Sequence, residues 1–405
     1  MKHIHNIVTV PASKSISNRL LMLQKTGGIS FTVNNLSTAE DTKLLSDLLN
    51  CIETSTSSPT YLNCENCGTA YRFLTAYLAC KSGKWILDGN ERMRNRPIKP
   101  LVDTLVEAGA DISYLGELGF PPLQICGKKL TTDRWKIDAQ SSSQYVSAMA
   151  MILPMMRKNS EIEFFTDGNS LQYIDMTIRL MQCIGLTVSR LGNKITYIEE
   201  KKTSSPTSFF VEYDWSAAAV WFALAALLPD ADIFIKGLKK SELQADNRIV
   251  EWSKQFGVQT NYTEDGVQII HTGNRPKQEI IRLDCRNNPD LVPCLSSICV
   301  GLKQKAVLEN VQNLTIKESN RIDALIQELG KIAFLEYKDN SLIINPKEEE
   351  FPTAIHFSSH NDHRIAMALS LLSARIPDLH IDNPDCVAKS YPDFWGNLRY
   401  NNSFP

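Results

Sequence analysis

Apolar residues recur along this chain in two alternating rhythms. Ile322, Leu325, Ile326 and Leu329 fall at i, i+3, i+4 and i+7, and Ile365, Ala368, Leu369 and Leu372 repeat that spacing. A period near 3.6 residues gathers each set on one helix face, so both stripes are expected to line a core. The helical rhythm gives way repeatedly to a small-residue turn and a short β-branched strand. Leu101–Glu107 runs into Gly109-Ala110-Asp111-Ile112-Ser113-Tyr114, and Thr177–Cys183 into Gly185-Leu186-Thr187-Val188. Ile249–Phe256 runs into Gly257-Val258-Gln259-Thr260, and Arg321–Leu329 into Gly330 and the apolar stretch Ile332–Tyr337. The starts at 101, 177, 249 and 321 are 76, 72 and 72 residues apart, which predicts an internal structural repeat. Helices expected over Asp41–Cys51 and Arg364–Ala374 bring the units to six, a number that suits two similar α/β domains. Val211–Leu228 is apolar nearly all round and predicts a buried helix, with Trp215 and Trp221 as packing residues. The polar run Glu199–Ser208 before it reads as a linker near a domain boundary.

Arginine breaks this pattern where helices are predicted to begin. It closes the segments Lys14-Ser15-Ile16-Ser17-Asn18-Arg19, Gly68-Thr69-Ala70-Tyr71-Arg72, Lys317-Glu318-Ser319-Asn320-Arg321 and Asn361-Asp362-His363-Arg364, and it stands before a proline in Asn95-Arg96-Pro97. A helix N-terminus carries about half a positive charge, so a cation in the first turn costs about 0.3–1 kcal/mol unless an anion intervenes. Free backbone N–H groups and guanidinium forks together make a receptor for phosphate or carboxylate. The pattern predicts an enzyme for small anions.

Local features sharpen that expectation. Ser15, Asn18 and Arg19 share a helical face opposite Ile16, Leu20 and Leu23, and offer a hydroxyl and a guanidinium beside Lys14. Gly68 allows an anion close to the backbone, and Thr69 is a candidate helix cap. Arg92, Arg94 and Arg96 stand at i, i+2 and i+4 between a predicted strand, Lys84–Leu87, and a helix for which Pro97 suits the first position. Ser141, Ser142 and Ser143 open a hydrophobic helix through Met156, one serine serving as cap and the others available to a ligand. Lys317 and Arg321, four apart on one expected helix face, flank Glu318, which is placed to move a proton over a phosphate-bearing substrate. His360 and His363 beside Asp362 raise a metal alternative, but the helix that starts there repeats the arginine pattern and favours an anion instead.

The bulk numbers are compatible with this reading. The 405 residues are 43% hydrophobic, enough for two cores, and a formal net charge of −2 argues against a general nucleic-acid binder. Ten scattered cysteines suit reduced thiols in the cytoplasm, and Cys64-Glu65-Asn66-Cys67 lacks the second pair a zinc site needs. No run of eighteen apolar residues occurs, so neither a signal peptide nor membrane association is expected.

Eight ordered segments between residues 13 and 393 resemble the 5-enolpyruvylshikimate-3-phosphate synthase family, the 3-phosphoshikimate 1-carboxyvinyltransferases. They are Ser13-Lys14-Ser15-Ile16-Ser17-Asn18-Arg19, Asn66-Cys67-Gly68-Thr69, Arg92-Met93-Arg94-Asn95-Arg96-Pro97, Ser142-Ser143-Gln144, Tyr173-Ile174-Asp175-Met176-Thr177, Lys317-Glu318-Ser319-Asn320-Arg321, Asn361-Asp362-His363-Arg364 and Lys389-Ser390-Tyr391-Pro392. The resemblance implies an inside-out α/β barrel fold of two similar domains, each of three βαβαββ units, with an active site in the interdomain cleft. Residues 1–12 plus 214–405 would form one domain and 13–213 the other, the chain crossing near 11–13 and 212–214. Shikimate 3-phosphate would be held by Ser15, Arg19, Ser142, Ser143, Ser170, Tyr173, Asp290, Asn313 and Lys317. Phosphoenolpyruvate would be held by Lys14, Gly68, Arg92, Gln144, Arg321, Arg364 and Lys389. Asp290, Glu318 and Lys14 would manage the two proton transfers. The resemblance calls for no cofactor and no metal, and we expect a monomer. Cys67 replaces the usual Ala, Phe73 a frequent Pro, and Ser319-Asn320 a typical Thr-Asp, and none of these changes removes a proposed charge.

Two other readings are weighed against this one. The sister transferase family acting on UDP-N-acetylglucosamine begins with a Lys-Asn motif and carries a cysteine shortly before an Arg-Pro, whereas this chain has Lys14-Ser15 and no cysteine from Gly89 to Arg96. A non-catalytic anion sensor would not need Asp290, Glu318 and Lys14 together.

Overall fold

A computed structural model of the protein describes residues 4–166, 168, 170–200 and 208–400, so positions 201–207 of the expected linker fall outside it. The described chain divides into two compact units. One takes in the residues up to Ser13, Thr38–Glu40 and those from Glu212 onward; the other takes in Lys14–Ser37 and Asp41–Val211.

Each unit contains two complete βαβαββ repeats of the same topology. In the Asp41–Val211 part they are the sheet Thr60–Asn63, Gly83–Asp88, Leu123–Gly127, Asp111–Tyr114 and the sheet Arg134–Asp138, Glu161–Phe165, Lys194–Glu200, Leu186–Leu191, each in spatial order. In the other unit they are Ile4–Val8, Ala231–Lys236, Gly266–His271, Val258–Tyr262 and Ile280–Asp284, Lys305–Glu309, Ser341–Pro346, Ala333–Lys338. In each of these four sheets the first two strands are parallel, joined across a helix, with the other unit also intervening between Ile4–Val8 and Ala231–Lys236, and the last two form an antiparallel hairpin. One hairpin shows why the chain turns back there. Asp339 and Asn340, between Ala333–Lys338 and Ser341–Pro346, both adopt positive φ (49° and 58°), as a two-residue turn matching the strand twist requires.

A third, shorter repeat completes each unit without the hairpin. Thr32–Asn34 pairs in parallel with Ser208–Phe210 between the helices Lys14–Thr26 and Glu40–Thr54, and Ala354–Phe357 pairs in parallel with Asp378–Ile381 around His363–Ser370. The second helices of the complete repeats begin at Lys99, Leu171, Ile249 and Arg321, 72, 78 and 72 residues apart. The period expected from sequence is therefore present, with two starts earlier than anticipated.

The sheets face outward and the most apolar helices lie inside. Trp215–Leu227 is buried at every position except Ser216, and the Trp221 indole donates to the Tyr391 hydroxyl at 3.2 Å. A helix with no polar side has to be surrounded, and it packs with Val292–Gly301, which packs in turn on His363–Ser370. Lys14–Thr26, Gly68–Cys80 and Ser143–Ile152 occupy the same place in the other unit. Every expected site motif except the Arg92 loop and the segments around Ser170, Lys317 and Lys389 falls at or just before the start of one of these six helices.

Close packing around the helix ends gives a test of the repeat. A methyl group on Gly127 would lie 1.7 Å from the Lys81 carbonyl and 2.4 Å from that of Leu78, at the C-terminal end of Gly68–Cys80, whereas one on Gly396 meets nothing within 4 Å. Gly127→Ala is expected to lower the unfolding free energy by about 3 kcal/mol and Gly396→Ala to change it by less than about 1 kcal/mol. Urea unfolding of the two variants checks this, and coincident midpoints would contradict the packing.

Candidate active site

Asn320 ends the extended approach to helix Arg321–Leu329 by accepting from the Asp323 amide at 3.3 Å. Lys317 lies at the end of the preceding 3-10 turn, Gln312–Ile316, in extended conformation. Lys317 and Arg321 therefore do not share a helix face as expected, because the cap starts a new helix between them. Glu318 instead folds back and accepts from Arg321 Nη2 at 3.0 Å.

Arg321, 1% exposed, is gripped by three carboxylates. Its Nε donates to Asp362 Oδ2 at 2.8 Å, its Nη1 to Asp290 Oδ1 at 2.8 Å and its Nη2 to Glu318. Asp362 is wholly buried and caps His363–Ser370 through the Arg364 amide at 2.9 Å, while Ser319 Oγ donates to it at 3.0 Å. His360 and Asn361, both at positive φ, turn the chain to place this cap. The His360 ring engages Glu328 at 3.0 Å rather than its neighbour His363. Arg364 donates through Nη2 to Asp290 Oδ2 at 3.2 Å and through Nη1 to the Ser216 carbonyl at 3.2 Å. The starts of three inner helices meet here.

Asp290 is thus shared by two guanidinium groups. Burial alone would push its carboxyl up, but Arg364, Arg321 and Lys317 outweigh that and hold it well below the usual carboxylate range. Against their own burial, both arginines are raised by carboxylates, Arg321 by Asp362, Glu318 and Asp290, and Arg364 by Asp290, Asp214 and Asp246. Asp246, 5% exposed, lies behind the cluster, bonded to Ser216 Oγ and Asn288 Nδ2, and burial with Asp290 nearby pushes its carboxyl up to about 6. Asn313 stands in the 3-10 turn just before Lys317, and Lys389 ends another, Pro384–Lys389.

The other unit gathers its motifs differently. Lys14, the first residue of Lys14–Thr26, places Nζ 2.9 Å from Asp41 Oδ2. Arg19 lies a turn and a half into that helix, not in its first turn. It is 2% exposed and donates to Thr177 Oγ1 at 2.7 Å, the Ser15 carbonyl at 3.0 Å, the Tyr173 carbonyl at 3.2 Å and Ser147 Oγ at 3.3 Å. The Phe73 and Tyr173 rings flank its guanidinium, whose pKa burial lowers to about 10. Arg19 thereby draws Ser15, Tyr173 and the Ser143–Ile152 helix together. Ser142 caps that helix, accepting from the Gln144 amide at 3.2 Å, and Ser143 is buried behind it. Ser170 precedes Leu171–Cys183 at φ 58°, its carbonyl accepting from the Tyr173 amide at 3.2 Å.

Gly68 opens Gly68–Cys80, and the cap is Cys67, not Thr69: its Sγ accepts from the Ala70 amide at 3.4 Å. Thr69 Oγ1 turns instead to Gln144 Nε2 at 3.2 Å, so the starts of two inner helices meet. The three arginines of the next loop have separate fates. Asn90 caps a short helix, Glu91–Arg94, on which Arg92 is exposed and Arg94 pairs with Asp88 at 2.6 Å. Arg96 is buried. The expected helix begins at Lys99 with Pro100 in its first turn, so Pro97 lies outside it.

Residues 1–398 of the 405 match the family model described as EPSP synthase (3-phosphoshikimate 1-carboxyvinyltransferase). The chain belongs to the EPSP synthase family. As a member it is a transferase of the shikimate pathway, moving the enolpyruvyl group of phosphoenolpyruvate to shikimate 3-phosphate. A 3-phosphoshikimate 1-carboxyvinyltransferase from Bacteroides fragilis is 35% identical over 394 residues, covering 97% of this chain and 94% of the relative. One from Idiomarina loihiensis is 30% identical over 422 residues, covering 98% and 96%. The solved EPSP synthase of Acinetobacter baumannii shares the fold, with a TM-score of 0.75 over 99% of this chain and 96% of its own at 22% identity.

Within this family member, the sequence assigned no binding or catalytic role to Asp41 or Asp246, and Asp362 and Arg96 entered only as parts of wider motifs. Asp362 was the most accessible of them, since an Asp directly before an apolar helical stripe is a cap signal. Asp362→Ala would leave buried Arg321 without its main counter-charge, at an expected cost of about 3 kcal/mol or more. Denaturant unfolding measures this, and a loss below about 1 kcal/mol would mean that Asp362 is not the anchor.

Proposed function

We propose that Lys14, Asp290 and Glu318 carry the proton transfers of the enolpyruvyl transfer. Shikimate 3-phosphate is bound by Ser15, Arg19, Ser142, Ser143, Ser170, Tyr173, Asp290, Asn313 and Lys317. Phosphoenolpyruvate is bound by Lys14, Gly68, Arg92, Gln144, Arg321, Arg364 and Lys389. The shikimate 5-hydroxyl adds to C2 of phosphoenolpyruvate while C3 is protonated, and phosphate then leaves the tetrahedral intermediate. The cations stabilise the departing phosphate. We also infer a monomer in the cytoplasm, a setting that suits ten free cysteines; no described helix is long and apolar enough to cross a membrane.

The observation that carries this reading is Asp290 bridging Arg321 and Arg364. With both guanidinium groups on it, Asp290 is a poor base. A reactant carboxylate or phosphate has the same affinity for planar guanidinium forks and competes for them. Once they are taken, Asp290 loses the charges that depress it and regains the basicity needed to accept the hydroxyl proton. Binding of one reactant thus prepares the base for the other. The free enzyme keeps Asp290 ionised far into acid, so the acid limb of kcat is expected at higher pH than that of kcat/KM. Coincident limbs would remove the exchange of partners.

Phosphate release with shikimate 3-phosphate plus phosphoenolpyruvate tests the assignment directly. Release only with UDP-N-acetylglucosamine would move it to the sister family, and binding without release would make the protein a sensor. Glu318→Gln is expected to lower turnover about 10²-fold or more while reactant affinity stays within about tenfold. Unchanged turnover would exclude Glu318 from the chemistry.

A further inference from the structure

Arg96 is more than nine-tenths buried, yet its Nε and Nη1 have no hydrogen-bond partner among the described residues. Nη1 and the guanidinium carbon lie against Gly68. A methyl group built on Gly68 would meet Arg96 Nη1 at 2.5 Å and Arg72 Nη1 at 2.4 Å, so the two guanidinium groups approach within about 5 Å of each other at the start of the Gly68–Cys80 helix. Arg72 has local support: its Nη1 donates to the Gly68 carbonyl at 3.1 Å, its Nη2 to the Pro97 carbonyl at 3.4 Å, and the Tyr145 ring covers it. Gln144, bonded to Thr69 at the same helix start, also leaves its Oε1 buried without a partner. A helix N-terminus, one bare buried guanidinium and a second cation beside it concentrate positive charge on one point. Burying a charge without a partner is costly, so a fold that keeps one there is balanced by an anion from outside.

We infer that Arg96 is a positioning residue for the phosphate of phosphoenolpyruvate, acting from behind Gly68. It does not touch the reactant, because Gly68 stands between them. Its field holds a doubly charged group on the backbone amides at the helix start, and the absent side chain of Gly68 lets the guanidinium come this close. The inference rests on the proposal that phosphoenolpyruvate meets Gly68. It separates Arg96 from Arg94, two residues away in the same loop, whose charge Asp88 already neutralises.

The test compares Arg96→Gln, Arg96→Lys and Arg94→Gln in the full-length enzyme. KM for each reactant, kcat, and the urea midpoint of the substrate-free protein are measured, at low and high salt. Arg96→Gln is expected to raise KM for phosphoenolpyruvate about tenfold or more, to leave KM for shikimate 3-phosphate within about twofold and kcat within about threefold, and not to lower the urea midpoint. Its phosphoenolpyruvate KM should also depend less on salt than that of the unmodified enzyme. Arg96→Lys should keep most of the affinity, and Arg94→Gln should leave it within about twofold. An unchanged phosphoenolpyruvate KM in Arg96→Gln would overturn the inference. So would a rise in both KM values together with a lowered urea midpoint, which is the signature of a packing role. If the unmodified enzyme fails to release phosphate, it is the proposed function that fails; the Arg96 comparison is decided only on an enzyme that turns over.

Discussion

The constraint on which the rest depends is that this chain's innermost helices have almost no polar sides. Trp215–Leu227 buries all but one residue, and Gly68–Cys80 and Ser143–Ile152 are nearly as enclosed. Such helices are stable only when surrounded, which the outer sheets and neighbouring helices accomplish. Once their flanks are committed to packing, their backbone N–H groups at the first turn are the polar groups left over. The proposed chemistry gathers at those ends, where free backbone N–H groups can receive an anion. Asp214, Ser142, Cys67 and Asp362 each cap one of them, and residues proposed to bind reactants stand beside those caps.

The two units treat buried cations in opposite ways. Around Arg321 the chain supplies its own anions: Asp290, Glu318 and Asp362 face Arg321, Arg364 and Lys317, and the charges cancel. Beside Gly68, Arg96 Nε and Nη1 have no hydrogen-bond partner among the described residues. A neutralised cluster can bind an anion only by exchange, which links binding to a change in a carboxylate's basicity. An unneutralised one binds by simple attraction. The residues proposed to hold phosphoenolpyruvate fall in both clusters, one suited by its electrostatics to adjusting a proton acceptor and the other to holding a phosphate.

Much of this was legible in the chain. The 72-residue rhythm, the apolar stripes and the all-round burial of Trp215–Leu227 follow from patterns of period 3.6 and of small-residue turns, which depend on local geometry. Arginine near helix starts correctly marked Arg321 and Arg364, which lie in first turns. It misplaced Arg19 and Arg72, which lie deeper, because the caps stand earlier than the apolar stripe suggests. Lys317 and Arg321 were assigned one face because a spacing of four was read as helix, when the Asn320 cap interrupts it. The third repeats were expected from the helices over Asp41–Cys51 and Arg364–Ala374, but not their lack of a hairpin, since the two-stranded pairing of Thr32–Asn34 with Ser208–Phe210 joins segments far apart in sequence.

What the chain did not disclose is which arginines already have a counter-charge. Arg92, Arg94 and Arg96 form one regular series by spacing, yet one is exposed, one pairs with Asp88 and one is buried beside Gly68. The difference arises because Asn90 caps a helix of a single turn, after which the backbone no longer keeps residues i and i+4 on a common face. Charge near a helix start therefore signals an anion without naming it. Asp362 shows the anion can be internal, whereas Arg96 keeps Nε and Nη1 buried without a hydrogen-bond partner among the described residues. Only the packing around each guanidinium distinguishes a structural ion pair from a cation whose hydrogen bonds the chain leaves unmade, which makes burial without a partner, rather than arginine itself, the better marker of where ligand charge is recognised.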